Sequence, residues 1–387
     1  MLFCDLTQSW SEQGGGIRTY LLRKRRHILE QTRHRHLLII PGARDGVVEE
    51  GRAITVTIAS PHVPGSPNYR LLLRNRAVRQ ALERFRPNLI ECQDAYNLPW
   101  TALAYRRRRH PATALTAAYM TDFPTVYVER PFAKFIGRTL ARFSARLGYG
   151  YCRRLYRRFD GIFALSEHGG AAKLKALGLD RVEVIGLGVD TADFGPHRRD
   201  PELRRSLGLG ADDPLLIYVG RLDGEKKPDV VVAAFRKLPP ELGARLVLLG
   251  DGPLRPAIEA LGDERIVMPG FLTDRSEMAR WLASADLYVS GMADETFGIS
   301  VIEAQASGLG VVGVAAGAML DRVTPGLGRI GPVGDAGAMA QNILDTLAED
   351  RAALSNRAIA EAAKFDWARI MRTLFDDFYA RALERRA

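Results

Sequence analysis

The sequence predicts an α/β protein of two domains built on parallel sheets covered by helices. Three observations carry that expectation. Short apolar runs bounded by Gly, Pro, Asn or Asp alternate with segments of helical period, the pattern of strand–helix–strand units. The chain has 387 residues, long for one domain and comfortable for two. Its charge is also divided. Residues 1–200 carry 33 Lys and Arg against 18 Asp and Glu, and residues 201–387 carry 22 against 27, so two units with different partners are expected.

The first half opens on the strand Leu2–Leu6. Gly14, Gly15 and Gly16 follow, and a helix rich in Arg and Lys begins at Ile17. Consecutive glycines between strand and helix let a backbone approach a phosphate or a sugar, or form a plain loop. They do not form the dinucleotide G-x-G-x-x-G with its acidic ribose partner. His36–Pro41 and Ile54–Ile58 read as strands. Tyr69–Phe85 reads as a helix that stops before Pro87, and Leu89–Cys92 as a buried strand. Ala114–Tyr119 is a further strand ending in Met120-Thr121-Asp122-Phe123-Pro124, where Asp122 either contacts a hydroxyl or caps the turn.

From Arg138 to Phe159 the residues Ile136, Leu140, Phe143, Leu147, Tyr151 and Leu155 recur three or four apart, while Arg138, Arg142, Arg146, Arg153, Arg154, Arg157 and Arg158 lie mostly elsewhere. One amphipathic helix, or two, is expected there. It packs on the sheet with a solvated Arg face, or lays that face on anionic headgroups. The helix after Gly16, with Arg18, Arg23, Lys24, Arg25 and Arg26, repeats the pattern. Gly161–Glu167 closes the first half, Arg181–Ile185 adds a short strand, and a charged linker runs to about Asp213.

The second half opens on the buried strand Leu215–Val219, followed by Gly220-Arg221-Leu222-Asp223-Gly224-Glu225-Lys226-Lys227-Pro228. Arg221 and Lys226 on a strand-to-helix loop can both grip a diphosphate, one by its planar fork and one as a point charge. Leu246–Leu249 and Val267–Leu272 are strand-like, as are Asp286–Ser290 and Val311–Ala315. Between the last two, Phe297–Ala306 reads as a short helix with Ile299, Ile302 and Ala306 on one face and Gly308 at its C-terminal end. Its N-terminus, at Gly298, presents free N–H groups and a partial positive charge, as a phosphate site does. Glu295 lies just before the helix and Glu303 two turns into it, and both can accept hydrogen bonds from hydroxyls. A ligand that carries phosphate and hydroxyls together is a nucleotide sugar.

The string Glu295-Thr296-Phe297-Gly298 through Glu303-Ala304-Gln305-Ala306-Ser307-Gly308 resembles the E-x7-E motif of family 4 retaining glycosyltransferases. Gly220 to Lys227 resembles that family's G-R-L-x-x-E-K-G loop, with Lys227 in place of the glycine. Gly188 to Pro196 resembles its G-V-D-x-x-x-F-x-P signature, and Met120 to Pro124 its H-T-D-F-P loop, with Met120 in place of the histidine. The resemblance covers nearly the whole chain and is strongest from residue 161 onward.

The resemblance implies the GT-B fold, two Rossmann-like, doubly wound α/β domains. Residues 1–190 would form an acceptor-binding domain facing, across a cleft, a nucleotide-sugar domain at 196–365, and 366–387 would be a C-terminal helix crossing back. It implies catalytic roles for Glu295, Arg221 and Lys226. Donor contacts would come from Gly15, Gly16, Leu272, Phe297, Gly298, Ile299, Ser300 and Glu303, with Met120 and Asp122 on the acceptor side. The activity expected is retaining transfer of a hexose from a UDP- or GDP-sugar to a hydroxyl, carried by a membrane glycolipid or a polysaccharide precursor. Met cannot exchange a proton, so a sugar-nucleotide-binding protein without transferase activity is the alternative.

No cofactor is expected. No Asp-x-Asp stands at a strand end, so no metal is expected either, with cationic side chains in its place. Nucleic acid is not an expected partner, because the basic runs lack the interleaved aromatics of a binding module. An anionic membrane surface is a candidate partner. No apolar run approaches the ~20 residues that span a bilayer, and Cys4, Cys92 and Cys152 show neither disulfide nor zinc spacing. With no signal-like start either, a cytoplasmic location is expected, peripheral on the inner face of the membrane if the basic helices bind lipid.

Overall fold

A computed structural model describes residues 1–11, 15–64, 66–210 and 212–387. Side chains at 66, 67, 127, 130–136 and 138–142 lie outside that description, as does Gly14. The predicted helix-face residues Ile136, Arg138, Leu140 and Arg142 are among them. The chain divides into two compact units, Met1–Gly186 with Ala368–Ala387, and Leu187–Trp367.

The first unit holds an eight-stranded sheet: β1 (Leu2–Leu6), β2 (Arg35–Gly42), β3 (Gly46–Glu50), β4 (Ala53–Ala59), β7 (Leu89–Cys92), β8 (Ala114–Tyr119), β9 (Gly161–Ala164) and β10 (Val182–Val184). A two-stranded hairpin, β5 (His62–Val63) and β6 (Ser66–Arg70), stands apart from it. The sheet order is β10-β9-β8-β7-β1-β2-β4-β3, and every neighbouring pair is parallel except β3 with β4. β1, β7, β8 and β9 are buried along their whole length, as strands covered on both faces must be, which is why they read as continuous apolar runs. The chain builds β2 and β4 on one side of β1 and then returns to lay β7 on the other. The strand order therefore reverses between β1 and β7.

The second unit has six parallel strands: β11 (Leu215–Val219), β12 (Arg245–Leu249), β13 (Ile266–Gly270), β14 (Leu287–Val289), β15 (Gly310–Val314) and β16 (Gly328–Gly331). Their order, β13-β12-β11-β14-β15-β16, reverses between β11 and β14. In open α/β sheets such reversals leave a crevice at the carboxyl ends of the strands, where ligands bind.

Two expectations change, and the basic helix comes in two parts. The helix expected over Tyr69–Phe85 begins only at Asn75. Arg70 pairs with His62 in the hairpin and the Leu71 N–H donates to Pro61 O at 2.8 Å, so the first turn is extended instead. The basic run near Arg138 belongs to a helix, Arg130–Tyr156, broken at Gly137, whose φ of 77° and ψ of 161° no helix accommodates. The linker contains a helix of its own, Pro201–Ser206, capped by Asp200.

The basic helix Gly16–Gln31 is also not the solvated face its charges suggest. Lys24 is 2% exposed, and its Nζ donates to Asp5 Oδ1 at 2.6 Å, Glu91 Oε1 at 2.7 Å and Tyr379 Oη at 2.9 Å. Tyr379 in turn donates to Glu91 Oε2 at 2.6 Å. Arg25 Nε–H donates to His36 Nδ1 at 2.9 Å, so the His36 proton sits on Nε2 and reaches Asp5 Oδ2 at 2.7 Å. Burial holds His36 below its ordinary value and hence neutral. This buried network ties the last segment of the chain, Ala368–Ala387, to β1, β7 and the first helix. Phe378 packs edge-on against Phe163 beside it. Gly161 is glycine for that reason: a Cβ there would stand 2.8 Å from the Phe378 ring.

Candidate active site

In the second unit the predicted donor residues gather at the reversal between β11 and β14. The loop after β11 carries Arg221 and Lys226, and the loop after β14 carries Glu295. Lys226 Nζ donates to Glu295 Oε2 at 3.1 Å, bridging the two strand ends. Asp223 shapes the first loop by accepting the backbone N–H groups of Glu225 and Lys226, each at 3.0 Å. Lys227 then takes φ 55°, a left-handed conformation, to start the helix Pro228–Phe235. The glycine of the family motif stands where the backbone needs one.

Glu295 Oε1 accepts the N–H of Gly298 at 3.0 Å and of Phe297 at 3.4 Å. Burial pushes the Glu295 carboxyl up, but Lys226 and these two N–H groups outweigh it and leave it below the ordinary glutamate value. Gly298 has φ 83° and turns the chain into the helix Ile299–Ala306. The N–H groups of Ile299 and Ser300, first in that helix, have no intrahelical acceptor. The Ser300 hydroxyl lies 2.8 Å from Tyr288 Oη, which anchors the helix start to β14. Glu303 is 2% exposed, and its Oε1 takes Arg275 Nη2 at 2.5 Å. Burial raises its carboxyl above the ordinary value against the pull of Arg275, and the Asp190 carboxylate adds to the rise.

Arg275 had no motif to announce it. It starts the helix Arg275–Ser284, lies 28 residues before Glu303, and holds its guanidinium 4.9 Å over the Phe194 ring. Leu272 follows β13 and is half-buried, beside Phe271, which is 71% exposed. The Phe297 side chain does not line an open site. It is buried against Phe365 and beneath the Arg322 guanidinium, which donates to Phe297 O at 2.9 Å. Arg221 is largely exposed and paired on its own loop with Asp223 and with Glu225 at 3.1 Å.

In the first unit Gly15, with φ 121°, and Gly16 are exposed at the start of the first helix. Met120 is buried after β8. Asp122 is not the open hydroxyl acceptor the sequence suggests. Its carboxylate takes Lys173 Nζ at 2.6 Å, Tyr119 Oη at 2.8 Å, Tyr149 Oη at 2.9 Å and Thr125 Oγ1 at 3.0 Å, which fills its lone pairs.

Residues 14–193 match the family model for Glycosyltransferase Family 4, and residues 199–365 that for Glycosyl transferases group 1. The chain is 28% identical over 353 residues to a GDP-mannose-dependent alpha-(1-6)-phosphatidylinositol dimannoside mannosyltransferase of Mycobacterium tuberculosis, covering 90% of this chain and 86% of that one. It is 27% identical over 327 residues to a GDP-mannose-dependent alpha-mannosyltransferase of Corynebacterium glutamicum, covering 83% and 74%. Among solved structures, sucrose-phosphate synthase from Thermosynechococcus elongatus superposes with a TM-score of 0.76 at 19% identity, over 100% of this chain and 99% of that one. Anabaena HepE in complex with UDP superposes with a TM-score of 0.71 at 18% identity, over 98% and 100%. The fold is GT-B, and with one half matched by each of the two models the chain belongs to the family 4 glycosyltransferases.

Proposed function

We propose that this chain is a retaining, metal-independent mannosyltransferase that moves the sugar of GDP-mannose onto a hydroxyl of a lipid-linked acceptor. The observation that carries the reading is the convergence at the β11/β14 reversal of a cation, a carboxylate that it bridges, a helix N-terminus and a second carboxylate. Lys226 and Arg221 would neutralise the departing diphosphate, aided by the Ile299 and Ser300 N–H groups. Glu303 would accept hydrogen bonds from the ribose hydroxyls, and Glu295 would hold hydroxyls of the donor sugar. In the same-face mechanism the bond from the anomeric carbon to the phosphate oxygen breaks while the acceptor oxygen bonds to that carbon. The acceptor proton passes to the departing phosphate oxygen, so no histidine is needed at Met120.

The choice of mannose, and of a lipid acceptor, rests on the names of the mycobacterial and corynebacterial relatives. A peripheral position on an anionic membrane is supported by the helix Arg130–Tyr156. Phe143 and Leu147 on it are 58% and 64% exposed, and Arg146 and Arg153 near them are exposed too. A thermal-shift panel of nucleotide sugars tests the donor, since binding to the native state raises the melting temperature. GDP-mannose should give the largest shift, and a flat panel overturns the assignment. Sedimentation with anionic vesicles at low salt tests the membrane contact, which is refuted if the protein stays in the supernatant. The second reading, a donor-binding protein without transferase activity, draws on buried Met120. It gains if the donor binds but is never turned over on membrane extracts.

A further inference from the structure

The helices on either side of β9 leave a basic groove between them. Arg130–Tyr156 joins β8 to β9, and Ala172–Ala176 lies on the way from β9 to β10. Because β8, β9 and β10 are parallel and neighbours in that order, right-handed crossovers bring both helices to one face of the sheet. On the first helix Ala145, Gly148, Cys152 and Leu155 are buried. Away from that side, Arg146, Tyr149, Gly150 and Arg153 line an open groove of about 800 Å³, whose other wall carries Lys173 and Gly178. Lys173 Nζ is held by Asp122 at 2.6 Å, and Tyr149 Oη donates to the same carboxylate at 2.9 Å. Arg146 and Arg153 are exposed, and neither pairs with a carboxylate among the described residues.

Unpaired arginines on a surface are ordinary, but these two flank an open space. Arg146 stands four residues before Gly150 and Arg153 three after it, so all three share one helix face, and both guanidinium groups can reach an anion seated over the glycine. A Cβ on Gly150 would meet nothing within 4 Å. An apolar stripe runs along the edge of the same face. Phe143 lies three residues before Arg146 and Leu147 three before Gly150, and they are 58% and 64% exposed. Large apolar side chains turned outward beside free cations suit the boundary between headgroups and acyl chains. We infer that the groove is a binding site for the phosphodiester headgroup of an anionic phospholipid. Arg146 and Arg153 take the phosphate, the rest of the headgroup lies over Gly150, and Phe143 and Leu147 meet the first methylenes of the chains. Its volume falls in the range of small-molecule sites, about 300–1,000 Å³, and exceeds what a lone ion needs. The inference rests on the membrane contact proposed above and adds to it a stoichiometric pocket, which a helix held on a surface by charge alone does not have.

The test uses the full chain with two probes. One is vesicles of phosphatidylglycerol in phosphatidylcholine, followed by sedimentation. The other is glycerophosphoglycerol, the same headgroup without acyl chains, followed by ligand-observed NMR. Wild type should sediment with the vesicles and bind the headgroup saturably. Arg146→Gln combined with Arg153→Gln should weaken both at least tenfold. Arg107→Gln combined with Arg108→Gln removes the same charge from exposed positions on the helix Leu98–Arg108 and should change either by less than threefold. Gly150→Leu keeps the charge and fills the groove, so it should weaken headgroup binding at least fivefold. Vesicle binding that persists in every variant leaves the membrane contact standing and overturns the pocket. Headgroup binding without vesicle binding overturns the lipid assignment, since the groove then takes a soluble phosphodiester. Equal losses from the two arginine pairs, or an unchanged Gly150→Leu, reduce the effect to net charge and overturn the inference. If neither probe binds wild type, pocket and membrane contact fall together.

Discussion

Replacing Lys24 with Met should destabilise the first unit severely. Lys24 is the cation between Asp5 and Glu91, and it holds them by contacts of 2.6 and 2.7 Å at a site where all three side chains are at most 2% exposed. Methionine fills the volume but leaves two carboxylates facing each other in a dry interior. Removing one partner of a buried ion pair costs roughly 3–5 kcal/mol, because the charge left behind cannot recover its hydration. For a unit of this size that is a fall in melting temperature of about 6–20 °C.

The sign of the pH dependence follows from Asp5. Burial pushes its carboxyl up, but Lys24 and His36 outweigh this and hold it below the ordinary aspartate value. In wild type that contribution to stability is present above the unfolded pKa and lost as pH falls through the folded one. Without Lys24 the order reverses and Asp5 ionises only at a cost, so acid relieves the variant. Thermal unfolding at pH 8 and pH 5 should show the Lys24→Met deficit shrinking at the lower pH. Adding Glu91→Gln should restore part of the loss, because one uncompensated charge is removed. A deficit below about 1 kcal/mol, or one that does not change with pH, refutes the account of Lys24 as a buried counterion.

Three further outcomes are expected. Glu303→Gln should weaken nucleoside diphosphate binding at least tenfold by calorimetry. In wild type that binding should decline as pH falls through the raised Glu303 value, and Arg275→Ala, which removes the opposing cation, should move the decline to higher pH; an unmoved profile refutes the positioning role of Arg275. Lys226→Ala should lower kcat by about 10²–10³ with the fold intact, as loss of one leaving-group stabiliser does, and near-wild-type turnover would exclude it from the chemistry. Lys227→Gly should raise stability by about 0.5–1 kcal/mol in urea unfolding, because glycine takes φ 55° without a Cβ penalty.

The donor half was legible because its signals are local. Glu295, Gly298 and Glu303 lie on one strand–loop–helix passage, and Arg221 and Lys226 on another, so spacing alone placed them on strand ends. The two passages meet because the sheet reverses between β11 and β14, and an alternation of strands and helices already implies some such reversal. Partners drawn from distant elements were not legible. Arg275 reaches Glu303 only because the helix Arg275–Ser284 packs beside Ile299–Ala306. Lys24 looked like one more cation on a basic helix, since periodicity reports a face and not what the sheet beneath it carries. Its three partners come from β1, β7 and a segment more than 350 residues away. Asp122 was not legible for the same reason. It is an aspartate after a strand, and only the donors around it show that its carboxylate is filled. A sequence names the groups that can take a hydroxyl, but saturation is a property of the packed neighbourhood.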